Sequence, residues 1–145
     1  MSDRSRLSRE LMQFAVVGGI GFVIDIAVFN LLRATIFSPE NLAAGPILAK
    51  VVSTSLAITA NWIGNRWWTF MHRRRADVLR EAVEFALVSI TGSAIALVCL
   101  GISHYGFHLV SSLADNISAN VIGLALGSLV RFTLYQKYVF PLERV

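Results

Sequence analysis

Charge is scarce in this chain: Asp, Glu, Lys and Arg fill 15% of 145 positions, while 55% are hydrophobic and the mean hydropathy is +0.63. Too few charges remain to cover a water-soluble domain of this size, so the composition excludes one and reads as an integral membrane protein. Cysteine occurs once, as Cys99 inside an apolar run. A lone thiol closes no intramolecular disulfide and is not expected to serve a metal, so Cys99 reads as a small buried side chain. No nucleophile–base pair, metal-ligand set or phosphate loop is visible, so neither an enzyme nor a cofactor is expected. His104 and His108 fall one turn apart if helical, but two histidines do not make a metal site.

Long apolar runs are what the chain does have. Behind Arg4, Arg6 and Arg9, residues 11–32 are long enough, at about 1.5 Å per residue, to cross a hydrocarbon core of roughly 30 Å. A signal peptide's apolar region spans only about 7 to 15 residues, so this run is read as a first transmembrane helix. Its Gly18, Gly19 and Gly21 permit close helix approach in lipid. A loop with Pro39, Glu40, Asn41 and Gly45 precedes a second span over 46–64. A charged connection with His72, Arg73, Arg74, Arg75, Arg80, Glu81 and Glu84 leads to a third span, 83–102. The next loop carries His104, Tyr105, His108 and Asp115 but neither Lys nor Arg, and a fourth span covers 117–135. The expected fold is all-α, with four transmembrane helices in a single domain over residues 1–145.

Eleven of the 13 Lys and Arg flank one side of these spans: the three N-terminal arginines, five between 66 and 80, and Arg131, Lys137 and Arg144. Only Arg33 and Lys50 flank the other. That asymmetry places both termini in the cytoplasm, in a multi-pass protein of the cytoplasmic membrane. The isoelectric point near 9.8 is then a matter of topology. Basic residues spread over membrane-flanking loops do not form a soluble basic face, and nucleic acid is not an expected partner.

The densest chemistry lies where the second span meets the basic connection, in Asn61-Trp62-Ile63-Gly64-Asn65-Arg66-Trp67-Trp68-Thr69-Phe70. Indoles favour the headgroup layer, where the ring is buried and its N–H stays wet, so three of them beside an Arg mark a membrane–water boundary. A degenerate copy follows 70 residues later as Arg131-Phe132-Thr133-Leu134-Tyr135-Gln136-Lys137-Tyr138-Val139-Phe140. Upstream, Glu10-x-x-Gln13-Phe14-Ala15 matches Glu81-x-x-Glu84-Phe85-Ala86 at a spacing of 71. Each repeat is two helices long, and an even number of crossings returns the chain to its starting side. The halves are therefore expected as two parallel repeats of the same topology, N-in and C-in.

Phe14-Ala15-Val16-Val17-Gly18-Gly19 at the opening of the first helix, the Asn65-Arg66-x-Trp68-Thr69-Phe70 ending of the second and the Tyr138-Val139-Phe140 ending of the fourth resemble the GtrA-like family of small four-helix membrane proteins. The resemblance runs from about residue 13 to 140. It implies the handling of polyprenyl-phosphate-linked sugars for cell-wall or surface polysaccharide assembly, commonly as flippase of the lipid-linked monosaccharide. The second half departs from the family pattern at Arg131, Gln136, Lys137 and Tyr138, where an Asn and a further Arg-Trp pair are expected. That departure bears on the ligand more than on the fold.

A polyprenyl phosphosugar presents an anionic phosphate, a polar sugar and a tail that needs only lipid. Taking the headgroup through hydrocarbon strips its water, at several kcal/mol for each unpaired polar group, so a carrier must replace that hydration. Arginine suits phosphate, and aromatic rings suit the apolar faces of a sugar. Arg131, inside the fourth apolar run, is the first expected phosphate ligand, because placing an Arg there costs about 2.5 to 3.5 kcal/mol on insertion scales. Snorkelling to the headgroups is the plainer account of it. Arg66 and Lys137 are shallower, and serve either phosphate or anchoring. Asn61 and Asn65, one turn apart, serve either sugar hydroxyls or interhelical hydrogen bonds, and Trp68 and Tyr138 complete the expected phosphate and sugar site. Asp25, deep in the first span, and Lys50, entering the second from the same side, form either an intramembrane ion pair or a proton site. Glu84 is expected at the cytoplasmic entrance of the third helix, where a carboxylate suits a helix N-terminus.

Three functions fit these features. Translocation of a polyprenyl-phosphate monosaccharide uses the basic and aromatic cluster, the repeat and the intramembrane charges together. A non-transporting anchor that recruits a glycosyltransferase needs only exposed Arg73, Arg74 and Arg75. A small proton-coupled exporter of cations would centre on Asp25, which Arg131 opposes by repelling a cationic substrate. Four helices enclose little interior for a headgroup, so a homodimer or a larger complex also fits, and the sequence does not decide between these and a single chain.

Overall fold

The computed structural model describes residues 3–38, 40–109, 111, 113–114 and 117–142. Pro39, Asp115 and Arg144, named above, lie outside them. Every regular element among the described residues is helical. The chain divides into two compact units, Met1–Arg74 and Arg75–Val145, and each contains one helical hairpin.

In the first unit, α1 (Asp3–Ala34) packs along α2 (Gly45–Gly64). Helix α1 begins well before the apolar run that starts at residue 11. Its charged first turns are self-supporting, with Arg6 Nε donating to Glu10 Oε1 at 3.2 Å, an i,i+4 pair. The buried positions described on α1 are Glu10, Phe14, Val17 and Gly21, and on α2 Gly45, Ala49, Ser53 and Ala57, each row recurring every three or four residues as a helix face requires. Hydroxyls outside that face bond to their own helix, Ser55 to the Val51 carbonyl at 2.7 Å and Thr59 to the Ser55 carbonyl at 2.8 Å. Helix α2 runs on into a π-helical turn, Asn65–Thr69, closed by the Phe70 N–H on the Asn65 carbonyl at 2.7 Å.

In the second unit, α3 (Val78–Gly101) also starts ahead of the expected boundary at 83. Asp77 caps it, its carboxylate accepting from the Arg80 N–H at 3.1 Å. A π-helical turn, Ile102–Gly106, ends it. The return helix departs from a uniform α-helix over 117–135. It is π-helical over Ile117–Gly123, α-helical as α4 (Leu124–Leu134), and π-helical again over Tyr135–Val139. The Phe140 N–H closes this last turn on the Tyr135 carbonyl at 2.7 Å. His104 and His108 do not share a helical face: the helix ends between them, and His108 takes a left-handed φ of 54°.

The two hairpins repeat one another at several positions. At a spacing of 71, Glu10 and Glu81, Phe14 and Phe85, and Gly21 and Gly92 are buried in both. At a spacing of 70, Asn65 and Tyr135 open the closing π-turns, and Phe70 and Phe140 terminate them with φ of −113° and −121°. Two stretches, Arg4–Ala34 and Val78–Gly106, are long and apolar enough to cross a membrane. Helix α2 is diluted by Lys50, Ser53, Thr54, Ser55, Thr59 and Asn61, and α4 keeps only 11 residues between its π-helical ends.

Candidate functional site

In the first unit the polar residues gather where α2 widens into its π-turn. Asn61 is half-buried over Gly21, whose missing side chain leaves the space that the amide fills: a Cβ there would overlap Asn61. Asn65, 1% exposed, donates from Nδ2 to the Asn61 carbonyl at 2.8 Å. The Oδ1 atoms of Asn61 and Asn65 and the Oγ1 of Thr69 are all buried without a hydrogen-bond partner. Buried polar atoms are ordinarily satisfied, and this row, spaced by four residues, offers three acceptors to any group that brings its own donors.

Arg66 differs from the shallow anchor its position suggests. It is only 8% exposed, its guanidinium about equidistant from the rings of Trp62, at 6.0 Å, and Trp67, at 5.8 Å. Indole faces replace part of the hydration that burial removes from the cation. Trp67 and Trp68 are themselves about half exposed, and Arg74 stacks on Trp67 at 4.4 Å. Arg73 turns back to α1, where one Nη2 reaches both oxygens of buried Glu10 at 3.0 and 3.1 Å. Burial lowers the Arg73 guanidinium from its usual value, and the Glu10 carboxylate opposes that shift.

Asp25 is fully engaged at the other end of the hairpin. It accepts from Lys50 Nζ, from Ser53 Oγ at 2.6 Å and from Thr54 Oγ1 at 3.3 Å. This is an ion pair reinforced by two hydroxyls.

In the second unit Arg131 crosses from α4 onto α3. Its stem lies over Gly92, its Nη2 donates to Ser93 Oγ at 2.8 Å, and its Nε is buried without a partner. No carboxylate pairs with it among the described residues. One turn on, the Tyr135 hydroxyl and Ser89 Oγ lie 2.6 Å apart, and the Tyr135 ring stacks on Phe85 with centroids 4.2 Å apart. Lys137 lies over the half-exposed Tyr138 ring at 5.3 Å. Arg75 mirrors Arg73: its N–H is held by Glu81 at 3.0 Å, and its Nη1 by Glu84 at 2.7 Å and the Tyr138 carbonyl at 3.2 Å. Glu84 also accepts from Arg80 at 2.8 Å, a hydrogen bond that raises the exposed Arg80 guanidinium.

The structure thus brings Asn61 and Asn65 together in the first unit, and joins Arg131 to Ser93 in the second. Trp68, Lys137 and Tyr138 stay at the surface, outside both groups. Sequence reasoning missed Thr69, Ser93 and the roles of Glu10 and Glu81. The spacing of 71 between the two glutamates carried a signal, since a carboxylate kept at the same point of both repeats asks for a partner in each.

A family model described as GtrA/DPMS, transmembrane domain, matches residues 13–140. An uncharacterized membrane protein of Bacillus subtilis (strain 168), YngA, is 33% identical over 92 residues, which cover 63% of this chain and 57% of that relative's length.

Proposed function

We propose, because this chain belongs to the family of the GtrA/DPMS transmembrane domain and is a membrane protein, that it translocates a polyprenyl-phosphate-linked monosaccharide across the cytoplasmic membrane. In this reading the two hairpins make four crossings as parallel repeats, with both termini and the Trp cluster in the cytoplasm. The product serves cell-wall or surface polysaccharide assembly, and the protein is a carrier without catalytic residues.

One observation carries the reading: Arg131 holds a guanidinium beside an apolar helix with a serine hydroxyl as its hydrogen-bond partner and, among the described residues, no carboxylate to neutralise it. Such a cation is costly in lipid and is stabilised when an anion arrives. Within the first unit, the buried acceptors of Asn61, Asn65 and Thr69 suit a sugar by themselves, since sugar hydroxyls are donors. Trp68 and Tyr138, exposed near the helix ends, present ring faces for a sugar approaching from the headgroup layer. Arg66 and Lys137 add positive charge nearby in their own units. A homodimer would enlarge the enclosed space around either group.

The alternatives have less support. An anchor for a glycosyltransferase would need the arginines after the Trp cluster, yet Arg73 and Arg75 are tied to Glu10, Glu81 and Glu84. A proton-coupled exporter would need an Asp25 free to titrate, yet Lys50, Ser53 and Thr54 all bond to it as a carboxylate.

The test is binding of a short-chain isoprenyl phosphoglucose to the full-length protein in lipid nanodiscs, comparing wild type with Arg131→Ala at matched thermal unfolding. Saturable binding that Arg131→Ala removes is the expected result, with a flipping assay in vesicles to follow. A folded wild type that does not bind, and that retains a glycosyltransferase from membrane extract, would replace this reading with the anchor.

A further inference from the structure

We propose that Gly92 is the positioning residue for Arg131, and that its missing side chain is what holds the guanidinium at depth instead of letting it reach toward the headgroups. The inference rests on the reading of Arg131 as a phosphate ligand and adds how the chain keeps it there. A Cβ at position 92 would overlap the Arg131 Nε and crowd its Cγ and Cδ at 2.5 and 2.7 Å. The Arg131 stem therefore lies flat on bare α3 backbone. Its Nε is buried there without an acceptor, and its Nη2 is carried sideways to Ser93. An arginine near the end of a membrane helix ordinarily extends along the helix to bring its charge to water. This one extends across to the neighbouring helix, at the point where a Cβ on Gly127 would meet the Gly92 carbonyl at 2.6 Å.

Two comparisons within the chain support a seat over an accident of packing. Position 21, which matches 92 at a spacing of 71, is also glycine, and a Cβ there would overlap Asn61, which matches Arg131 at a spacing of 70. The same bare position thus lies under the same polar position in both hairpins. Gly18, Gly19 and Gly101 face open space, so glycine in these helices does not by itself imply a close neighbour.

The experiment is a double-mutant cycle on the full-length protein in nanodiscs, read first by thermal unfolding without ligand. Alanine is the better helix former, so Gly101→Ala leaves the unfolding midpoint unchanged or raises it. Gly92→Ala lowers the midpoint when Arg131 is present and leaves it unchanged or raises it in Arg131→Ala, because no stem then lies in the way. If Gly92→Ala alone does not fold, recovery of folding on adding Arg131→Ala supports the seat, and continued failure overturns it.

The second readout is binding of isoprenyl phosphoglucose against the uncharged isoprenyl glucoside. Gly92→Ala should weaken the phosphate-bearing lipid about tenfold, the loss of one well-placed charge-assisted contact, and leave the glucoside unchanged. An equal midpoint shift with and without Arg131, or unaltered preference for the phosphate-bearing lipid, overturns the proposal. Coupled midpoints in a wild type that binds neither lipid would leave the seat standing and remove the phosphate reading of Arg131.

Discussion

Asp25 and Lys50 meet because a carboxylate deep in one apolar helix and an ammonium entering the next from the same side have no better partner, an argument available from the sequence. The two hydroxyls that complete the cluster were not so readable, since Ser53 and Thr54 are ordinary residues until α2 is turned to face α1. Asp25→Asn should lower stability by about 1 to 3 kcal/mol, the range for a hydrogen bond to a charged group, and leave isoprenyl phosphoglucose binding intact. Adding Lys50→Gln should return part of that loss by removing the stranded ammonium, and thermal unfolding of the three variants measures both effects. A loss of pH-dependent transport in Asp25→Asn at unchanged stability would instead return the proton reading. Arg66 shows the opposite limit of sequence reasoning. Its place beside three indoles suits phosphate or anchoring alike and says nothing of burial, yet the side chain is buried, its guanidinium 6.0 Å from the Trp62 ring one turn back and 5.8 Å from that of Trp67.

Among the elements, the helical stretches were legible from apolar runs and their lengths, while their ends were not. Helix α1 begins early on an Arg6–Glu10 pair, and α3 on the Asp77 cap. Both are polar features that a search for apolar windows passes over. The π-turns were invisible because nothing in the order of residues marks an i→i+5 hydrogen bond. In the second hairpin the closing turn rests on an aromatic cluster, Phe85 stacked on Tyr135 and edge-on to Phe140 at 6.5 Å. Phe85→Ala, which empties a fully buried site, should cost about 3 to 5 kcal/mol. Tyr135→Phe, which removes only the hydroxyl shared with Ser89, should cost about 1 kcal/mol. Denaturant titrations in mild detergent would separate the two. A larger cost for Tyr135→Phe than for Phe85→Ala would mean that the hydroxyl pair, and not the ring stack, secures the turn.

At the scale of the whole molecule, the membrane class follows from the scarcity of charge and the repeat from its two spacings, and neither needed a structure. The crossings proposed above can be checked with introduced thiols, since only Cys99 has to be removed first. In a Cys99→Ser background, Asn41→Cys and Gly106→Cys should react in intact cells with a membrane-impermeant maleimide, and His72→Cys should react only after permeabilisation. Labelling of His72→Cys in intact cells would invert the proposed orientation. The glycine seats have a historical consequence as well. A seat that exists once can change its occupant only by surrendering the old chemistry, and in a dimer of identical hairpins any change would appear in both copies at once. With Gly21 under Asn61 and Gly92 under Arg131, one chain carries two copies that mutate separately, so one could acquire a cation while the other kept a neutral amide. Two seats within one chain leave that division of labour open to selection.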